Sequence, residues 1–432
     1  MRFPGSRKSK HYFPSTDKER VRLDHDNDLA NDTYIVGIDQ LLVDIEAHVE
    51  DSFLSDFGIE KGESVVFKDD LVEEIYHILK IQNKIKGEYP GGAIGNTLHN
   101  YSILADDRSV AFGTICNQIS VGDYAFKYVA NTCSKIDLSY LTPVEGQMGR
   151  AFCLITPDGE RSFVIGKGIM NQLPPEAIIE DVVAKSSGLL LSSYLLRDET
   201  CPMFNAALQA VKFAQNYNIP VVFSLGTSNL IEEKRDFFKD FIQKYVNIIA
   251  CNNNELKALT KIEDPLLSAQ ETLDICDLIL LTVGPSGLYL CGHADKDKLR
   301  VTKDKMHSKS IAEYNMYEYS RAMLKENCKN PVKIYSHINP YMGGPAEIKN
   351  TNGAGDAALS ALLHDIASNQ FHKLLVSNSS KHSSEFLTYS SIHQICKYSN
   401  RVSYAVLSCN SPRLSRGLPE KEDCLEESYW AL

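Results

Sequence analysis

From residue 188 onward the chain alternates between two hydrophobic patterns. The runs GLLLSSYLL, IPVVFSL, VNIIAC and DLILLTV are apolar throughout, and stretches such as MFNAALQAVKFAQNY and NLIEEKRDFFKDFIQKY between them repeat at helical spacing. Strands without alternation, separated by helices, predict a parallel sheet covered on both faces. Upstream, TYIVGIDQLLVDIEAHV carries an apolar strand into Gly37, and AFCLITPDGERSFVI predicts two strands joined by a turn at Pro157, Asp158 and Gly159. Late in the chain, NTNGAGDAALSALLHDI spaces Leu359, Leu362, Leu363 and Ile366 at i, i+3, i+4 and i+7. That spacing predicts an amphipathic helix starting on Asp356. An aromatic helical stretch, AEYNMYEYSRAML, is expected in the long segment 292–349, where Tyr314, Tyr317 and Tyr319 would pack it. That segment and the polar, His/Ser-rich 368–384 read as insertions, and the polar residues 1–31 as an arm before a single domain over 32–432.

Composition narrows the function classes. The chain has 432 residues, 43% of them hydrophobic, enough for a sizeable core. A net charge of -11 argues against nucleic acid as the main partner, because a phosphate backbone needs a basic face. Eleven dispersed cysteines without a CxxC pair suggest reduced thiols in the cytoplasm rather than a disulfide framework or a zinc site. The basic start MRFPGSRKSKHYFP lacks the apolar core of a secretory signal, and no apolar run approaches the ~18 residues of a membrane span. A soluble, cytoplasmic protein is expected. The twelve histidines show no paired metal-ligand spacing and read as structural or exposed, and Asp69-Asp70 and Asp106-Asp107 read as solvated faces.

Two glycine clusters carry the candidate chemistry. In NGAGD, the N–H groups of Gly353, Ala354, Gly355 and Asp356 can form a concave nest at a helix start, which suits an anion. Asp356 beside it can take a proton from an attacking alcohol. A Gly-rich helix entry with Asp as its cap would look the same. In PGGAIGN, Gly91-Gly92 makes a turn, Gly95 permits close approach, and Asn96 opens a helix with Leu98, Tyr101 and Leu104 inward; a plain turn with a cap is the competing reading. Parallel sheets bind ligands beyond the carboxyl ends of their strands. The residues there are Arg197, Gly226-Thr227, Asn252-Asn253-Asn254-Glu255 and Gly284-Pro285-Ser286-Gly287. A P-loop is absent, since the lone Gly166-Lys167-Gly168 lacks its upstream glycine and hydroxyl residue. The protein-kinase signatures are also absent.

GGAIGN early and NTNGAGD late, with NNNE and TVGPSG between them in that order, resemble the ribokinase-like (PfkB) family of carbohydrate and nucleoside kinases. VGIDQLLVDIEAHV, GGAIGNTLHNYSILADDRSV, YSHINPYMGGP and SRGLPEKEDCLEESYW are similar to its inosine-guanosine kinase branch along nearly the whole length. The resemblance implies a three-layer αβα sandwich with a mostly parallel central sheet and a small β lid, with lid segments near 38–60 and 146–172. It implies an ATP-dependent kinase of purine salvage acting on the 5′-hydroxyl of inosine or guanosine, with a free-sugar kinase or a non-catalytic nucleoside-binding protein as alternatives. Asp356 would be the base, with Gly353, Ala354 and Gly355 as the anion hole. Asp44 would hold the sugar hydroxyls, joined on the substrate side by Asp39, Gln40, Gly91, Gly92, Ala93, Gly95, Asn96 and Arg197. Asn252 and Glu255 would order Mg²⁺ and its waters around the nucleotide phosphates. Thr282, Val283, Gly284, Pro285, Ser286 and Gly287 would line the ATP site, which Asn400 would close from the far side. The implied partners are the nucleoside and ATP, with no nucleic acid or membrane, and a homodimer is compatible with the family. Two departures stand out. Asn350 replaces the usual first Asp of the late motif, near which relatives support a monovalent cation, and so leaves K⁺ dependence open. Asp39 stands where many relatives carry Gly, and can contact the nucleoside or cap a loop.

Overall fold

The computed structural model describes residues 33–418 except 122, 303–309, 312 and 346. The predicted arm, part of the 292–349 segment and the chain from 419 onward lie outside the described residues. In chain order the strands are β1 Ile35–Ile38, β2 Leu42–His48, β3 Ser64–Phe67, β4 Ile85–Pro90, β5 Ser109–Cys116, β6 Ile136–Asp137, β7 Leu141–Val144 and β8 Gly149–Ile155. They continue with β9 Arg161–Gly166, β10 Gly188–Ser192, β11 Val221–Ser224, β12 Ile248–Asn252, β13 Leu278–Thr282, β14 Leu288–Asp295 and β15 Pro331–Ile338.

The main sheet runs β15-β14-β13-β12-β11-β10-β1-β5-β6, with β7 also on β5. It is parallel from β13 to β6, and only β14 and β15 are antiparallel. The absence of polar alternation in these strands has a direct cause. Along β10, Leu189 and Leu191 enter one core while Leu190 enters the other; Val221 and Phe223 flank Val222 in the same way on β11. Both pleat faces are therefore apolar. Helices Pro202–Asn216, Arg235–Tyr245 and Asn253–Thr260 cover one face, and Ala93–Ala105, Ala354–Leu375 and Ile392–Leu407 cover the other. The fold is the expected α/β sandwich.

The second sheet has the order β3-β9-β8-β2-β4. The predicted hairpin forms as the antiparallel pair β8–β9. β3 and β4 join the sheet from outside the two expected segments. On β2, Val43, Ile45 and Ala47 are buried in a separate core against helix Asp69–Ile81, whereas Leu42, Asp44 and Glu46 face the other way. This alternation decides which side chains the second sheet shows to the first.

Several expectations change. The late helix begins at Ala354, two residues before Asp356, and it is not amphipathic: every residue from Ala357 to Asn369 is buried. It is wedged among the sheet and the helices Ala93–Ala105 and Ile392–Leu407, so its polar residues find partners inside. His364 pairs with the Tyr398 hydroxyl at 2.7 Å, and Asp365 accepts from the N–H groups of Tyr389 and Ser390. The early glycine helix starts at Ala93 rather than at Asn96, because Gly92 at φ 94° serves as its N-cap. The aromatic stretch is a run of turns, interrupted by Asn315 at φ 54°; Tyr314 is buried but Tyr319 is exposed. The 292–349 segment is not wholly an insertion, since it supplies the edge strand β15. Asp107 is buried, accepting from Thr33 and Tyr101, although Asp106 next to it is exposed.

Candidate active site

A cavity of about 560 Å³ opens at the carboxyl ends of β10 to β13. That volume suits a ligand of a few hundred daltons. The strand ends bring Ser192, Ser224, Asn252 and Thr282 to its wall. The starts of the two buried helices bring Gly92, Ala93 and Asn96 from one side, and Gly353, Gly355 and Asp356 from the other. The second sheet roofs it with Leu42, Asp44, Ala151 and Ile165, the side chains that parity turns away from that sheet's own core.

The NGAGD helix start is built for an anion. Its first backbone hydrogen bond runs from the Ala357 N–H to the Gly353 carbonyl at 2.8 Å, so the N–H groups of Ala354, Gly355 and Asp356 precede the ladder. Gly353 sits at φ 78°, and a Cβ there would lie 2.5 Å from Pro412. Gly355 is different: a Cβ there would meet nothing within 4 Å. Protein packing does not demand that glycine, but close approach by a ligand would. Gly355→Ala is accordingly expected to keep or slightly raise the melting temperature, since Ala is about 0.5–1 kcal/mol better than Gly in a helix. Turnover is expected to fall at least about tenfold, because an anion in the nest would lose close N–H contacts of the kind whose removal costs more than that. Melting curves beside steady-state rates check the split.

Four carboxylates, Asp39 and Glu255 buried and Asp44 and Asp356 partly so, share this cavity. Burial pushes Asp356 up to about 7; a hydrogen bond from Asn96 opposes the shift, and Asp39, Asp44 and Glu255 add to it. Asp39 stands at about 7, raised by burial and restrained by the Arg413 guanidinium and the N–H groups of Gly95 and Ile94. Asp44 is raised by burial to about 6, again against Arg413, and Glu255 by burial to about 7. Such carboxylates bind protons that the unfolded chain, with Asp near ~3.9, has released. Their contribution to stability is complete below about pH 4 and is lost as pH rises through the folded values. Hence the melting temperature of the wild type is expected to fall, between pH 5.5 and 7.5, relative to that of Asp39→Asn. Equal slopes for the two proteins would contradict it.

Of the sequence-predicted residues, Asp39, Gln40, Asp44, Gly92, Ala93, Asn96, Arg197, Asn252, Glu255, Thr282, Gly353, Gly355 and Asp356 line the cavity. Asp39 caps the GGAIGN helix and faces the cavity at once. Gly91 and Gly95 stand behind it: Cβ atoms there would lie 2.7 Å from Asp44 and 2.6 Å from Asp39, so both glycines let acids approach the helix start. Asn252 and Glu255 form a capping box, with the Asn252 N–H donating to Glu255 at 2.9 Å and the Glu255 N–H to Asn252 at 2.9 Å.

Val283, Gly284, Pro285, Ser286, Gly287 and Asn400 do not reach this cavity. Gly284–Ser286 close a turn of their own, and the Ser286 carbonyl is held by His337 at 2.7 Å. Asn400 instead donates to the Asn339 carbonyl at 2.6 Å, next to Ile338, which packs on Gly287. These late residues therefore meet one another just past Thr282. Asn350 uses both ends of its amide, donating to Asn410 O at 2.9 Å and accepting from the Asn352 N–H at 2.9 Å. A carboxylate could not make the first bond.

Among the contributors that escape sequence reasoning are Tyr194, Met170 and Arg413. Tyr194 lies inside an apolar run, but β10 ends at Ser192 and a single turn aims Tyr194 at the cavity. Met170 comes from the loop after β9. Arg413, beyond the last helix, had no signal in the chain.

The model of the pfkB family carbohydrate kinases matches residues 69–306. The chain is also 51% identical over 433 residues to the guanosine-inosine kinase of Escherichia coli K12, covering 100% of both chains. The chain belongs to the pfkB family. Among solved structures, this pfkB kinase resembles a probable sugar kinase from Rhizobium etli at TM-score 0.67 and 17% identity, covering 92% of this chain and 99% of that one. It resembles the adenosine kinase of Sinorhizobium meliloti at TM-score 0.64 and 19% identity, covering 93% and 99% respectively. Both likenesses concern the fold. Among the described residues no helix is long and apolar enough to cross a membrane, and no group of three or more His, Cys, Asp or Glu is placed to hold a metal.

Proposed function

We propose that this pfkB-family enzyme transfers the γ-phosphoryl group of ATP to the 5′-hydroxyl of inosine or guanosine, releasing ADP and IMP or GMP. One observation carries the reading: Asp356 and the open Gly353–Gly355 nest, on one helix start, converge with Asp44 from β2 on one cavity. The 51% identity to a guanosine-inosine kinase supports the nucleoside as acceptor.

In this reading Asp44, hanging from β2, accepts hydrogen bonds from the two vicinal ribose hydroxyls, with Asn96 and Gly92 beside the same sugar. Leu42, Ile165 and Met170 offer apolar surface to the base, near Tyr194, Gln40 and Arg197. The 5′-hydroxyl is placed against Asp356. An alcohol is far less acidic than a carboxylic acid, so the proton leaves late, after the bond to phosphorus is under way. The negative charge of the moving phosphoryl group faces fixed N–H dipoles at the helix start, which need no reorganisation.

Mg²⁺ would enter on the nucleotide phosphates and neutralise their charge. With no protein cage among the described residues, the fit is that of a metal carried mainly by substrate oxygens and water. Glu255 suits an outer contact through water: it is buried, its capping bonds leave lone pairs over, and a neighbouring cation would relieve its raised pKa. The adenosine half of ATP would continue from Thr282 along Val283–Gly287, with Asn400 on the far side. K⁺ is not part of the reading: the Asn350 amide is taken up by the Asn410 carbonyl, in the loop after the last helix, and by the Asn352 N–H. Closure of the second sheet over the cavity would exclude water and suppress hydrolysis of ATP. The cytoplasm, where nucleosides and ATP meet, is the proposed compartment.

The test is ADP release from MgATP with inosine, guanosine, adenosine, cytidine, ribose and fructose. Turnover with inosine and guanosine supports the reading. Turnover confined to a free sugar keeps the chemistry and overturns the acceptor, and nucleoside binding without ADP release overturns the enzyme.

A further inference from the structure

The loop after the last helix joins both glycine-rich helix starts. Pro412 fills the space beside Gly353. The Leu414 N–H donates to Asn100 Oδ1 at 2.8 Å, and Asn100 Nδ2 donates to the Pro412 carbonyl at 3.2 Å. His99 Nδ1 accepts from the Cys133 N–H at 3.1 Å, which leaves its Nε2–H to donate to the Leu414 carbonyl at 2.9 Å. The adjacent side chains of His99 and Asn100 thus hold this loop from the helix Ala93–Ala105.

Arg413 sits at the centre of that loop with 6% of its surface exposed. Its Nε donates to Asn96 Oδ1 at 2.9 Å, its Nη1 donates to Thr132 Oγ1 at 3.0 Å, and its guanidinium lies 5.2 Å from the centre of the Tyr128 ring. An amide has one accepting and one donating end, and a guanidinium only donates. With Oδ1 turned to Arg413, the Asn96 nitrogen is left to face the cavity wall it shares with Asp356, where Asn96 works against the rise of that carboxyl's pKa.

We propose that Arg413 is a positioning residue for phosphoryl transfer: by holding Asn96 Oδ1 it fixes that amide's orientation, so that the Asn96 nitrogen keeps Asp356 aimed at the substrate hydroxyl. The proposal rests on the kinase reading. Arg413 also faces the carboxylates of Asp39 and Asp44 and counters the effect of their burial. An Arg is suited to the task, because its rigid fork reaches Asn96 and Thr132 at once, whereas a Lys ammonium is a single flexible point.

The experiment compares the wild type with Arg413→Lys, Arg413→Gln, Thr132→Val, Asn96→Ala and the double variant Arg413→Lys/Asn96→Ala, following kcat, KM for guanosine and MgATP, and melting temperature. Arg413→Lys and Arg413→Gln are expected to lower kcat about 10- to 100-fold, a fraction of the usual contribution of a positioned base. KM for MgATP should stay within about twofold, since binding of ATP does not depend on aiming Asp356. The double variant should be no slower than Asn96→Ala, because Arg413 acts through that residue. Thr132→Val, which removes the other partner of the same guanidinium, should keep kcat within about threefold. Multiplied losses in the double variant, or a Thr132→Val effect as large as that of Arg413→Lys, would make Arg413 a structural clamp and overturn the proposal. If Arg413→Lys does not fold, the Arg413→Gln and Thr132→Val pair decides. A wild type without nucleoside turnover would instead sink the kinase reading, and this proposal with it.

Discussion

Asp356→Asn is expected to lower kcat by roughly 10²–10⁴ while leaving KM for guanosine within a few-fold, the range for loss of a general base. The substitution keeps the shape, the Asn96 neighbour and the helix start, and removes only the proton acceptor. The late proton transfer argues for the lower half of that range, since a loose transition state asks more of positioning than of basicity. The raised value of about 7 adds a signature. In the wild type, the rate before saturation by nucleoside should climb with pH up to about 7, as the carboxyl ionises, and then level. In Asp356→Asn that limb should vanish, although Asp39, Asp44 and Glu255 titrate in the same cavity and make the wild-type value a property of the group. Rates near wild type in the Asn variant would remove Asp356 from the mechanism.

Asp44→Ala is expected to act on binding first. Each hydrogen bond from a ribose hydroxyl to an ionised carboxylate contributes about 1.5–3 kcal/mol. Water refilling the space returns part of that, so a loss of about 3–4 kcal/mol is expected. At ~1.4 kcal/mol per tenfold, KM for guanosine should rise about 10²–10³-fold. Some kcat should go too, because the sugar positions the 5′-hydroxyl. Stability should move the other way: Asp44 is a partly buried acid near Asp356, so its removal relieves repulsion and should leave the melting temperature equal or higher. KM for MgATP is the internal control, expected to change by less than about threefold. Unaltered guanosine KM would place the ribose elsewhere.

Much of the architecture was legible in the chain because it follows from periodicity. Uniformly apolar runs between helices mark strands buried on both faces, and β10 to β13 are such strands, each feeding alternate side chains to two cores. The order of GGAIGN, NNNE, TVGPSG and NTNGAGD identified the family, and most residues named from those motifs line one cavity. Local pattern failed where burial is imposed from outside. The helix Ala354–Leu375 has the spacing of an amphipathic helix, yet packing on all sides buries its polar face too. The aromatic stretch before Ala322 has helical spacing, but Asn315 in the left-handed region breaks it into turns.

By itself, then, the sequence determined the apolar strands β10 to β13 and the β8–β9 hairpin, the two glycine clusters at helix starts to within three residues, and the acids that stand beside them. These follow from interactions a few residues apart. Tertiary structure alone decided which acids would share a cavity, how far burial and mutual repulsion would raise their pKa values, and that TVGPSG and Asn400 would meet each other beyond it. It alone also brought Arg413 from far along the chain onto Asn96, at 2.9 Å. Electrostatic fields and hydrogen bonds act through space, so residues 317 positions apart can set one another's orientation while leaving no periodic trace in the chain between them.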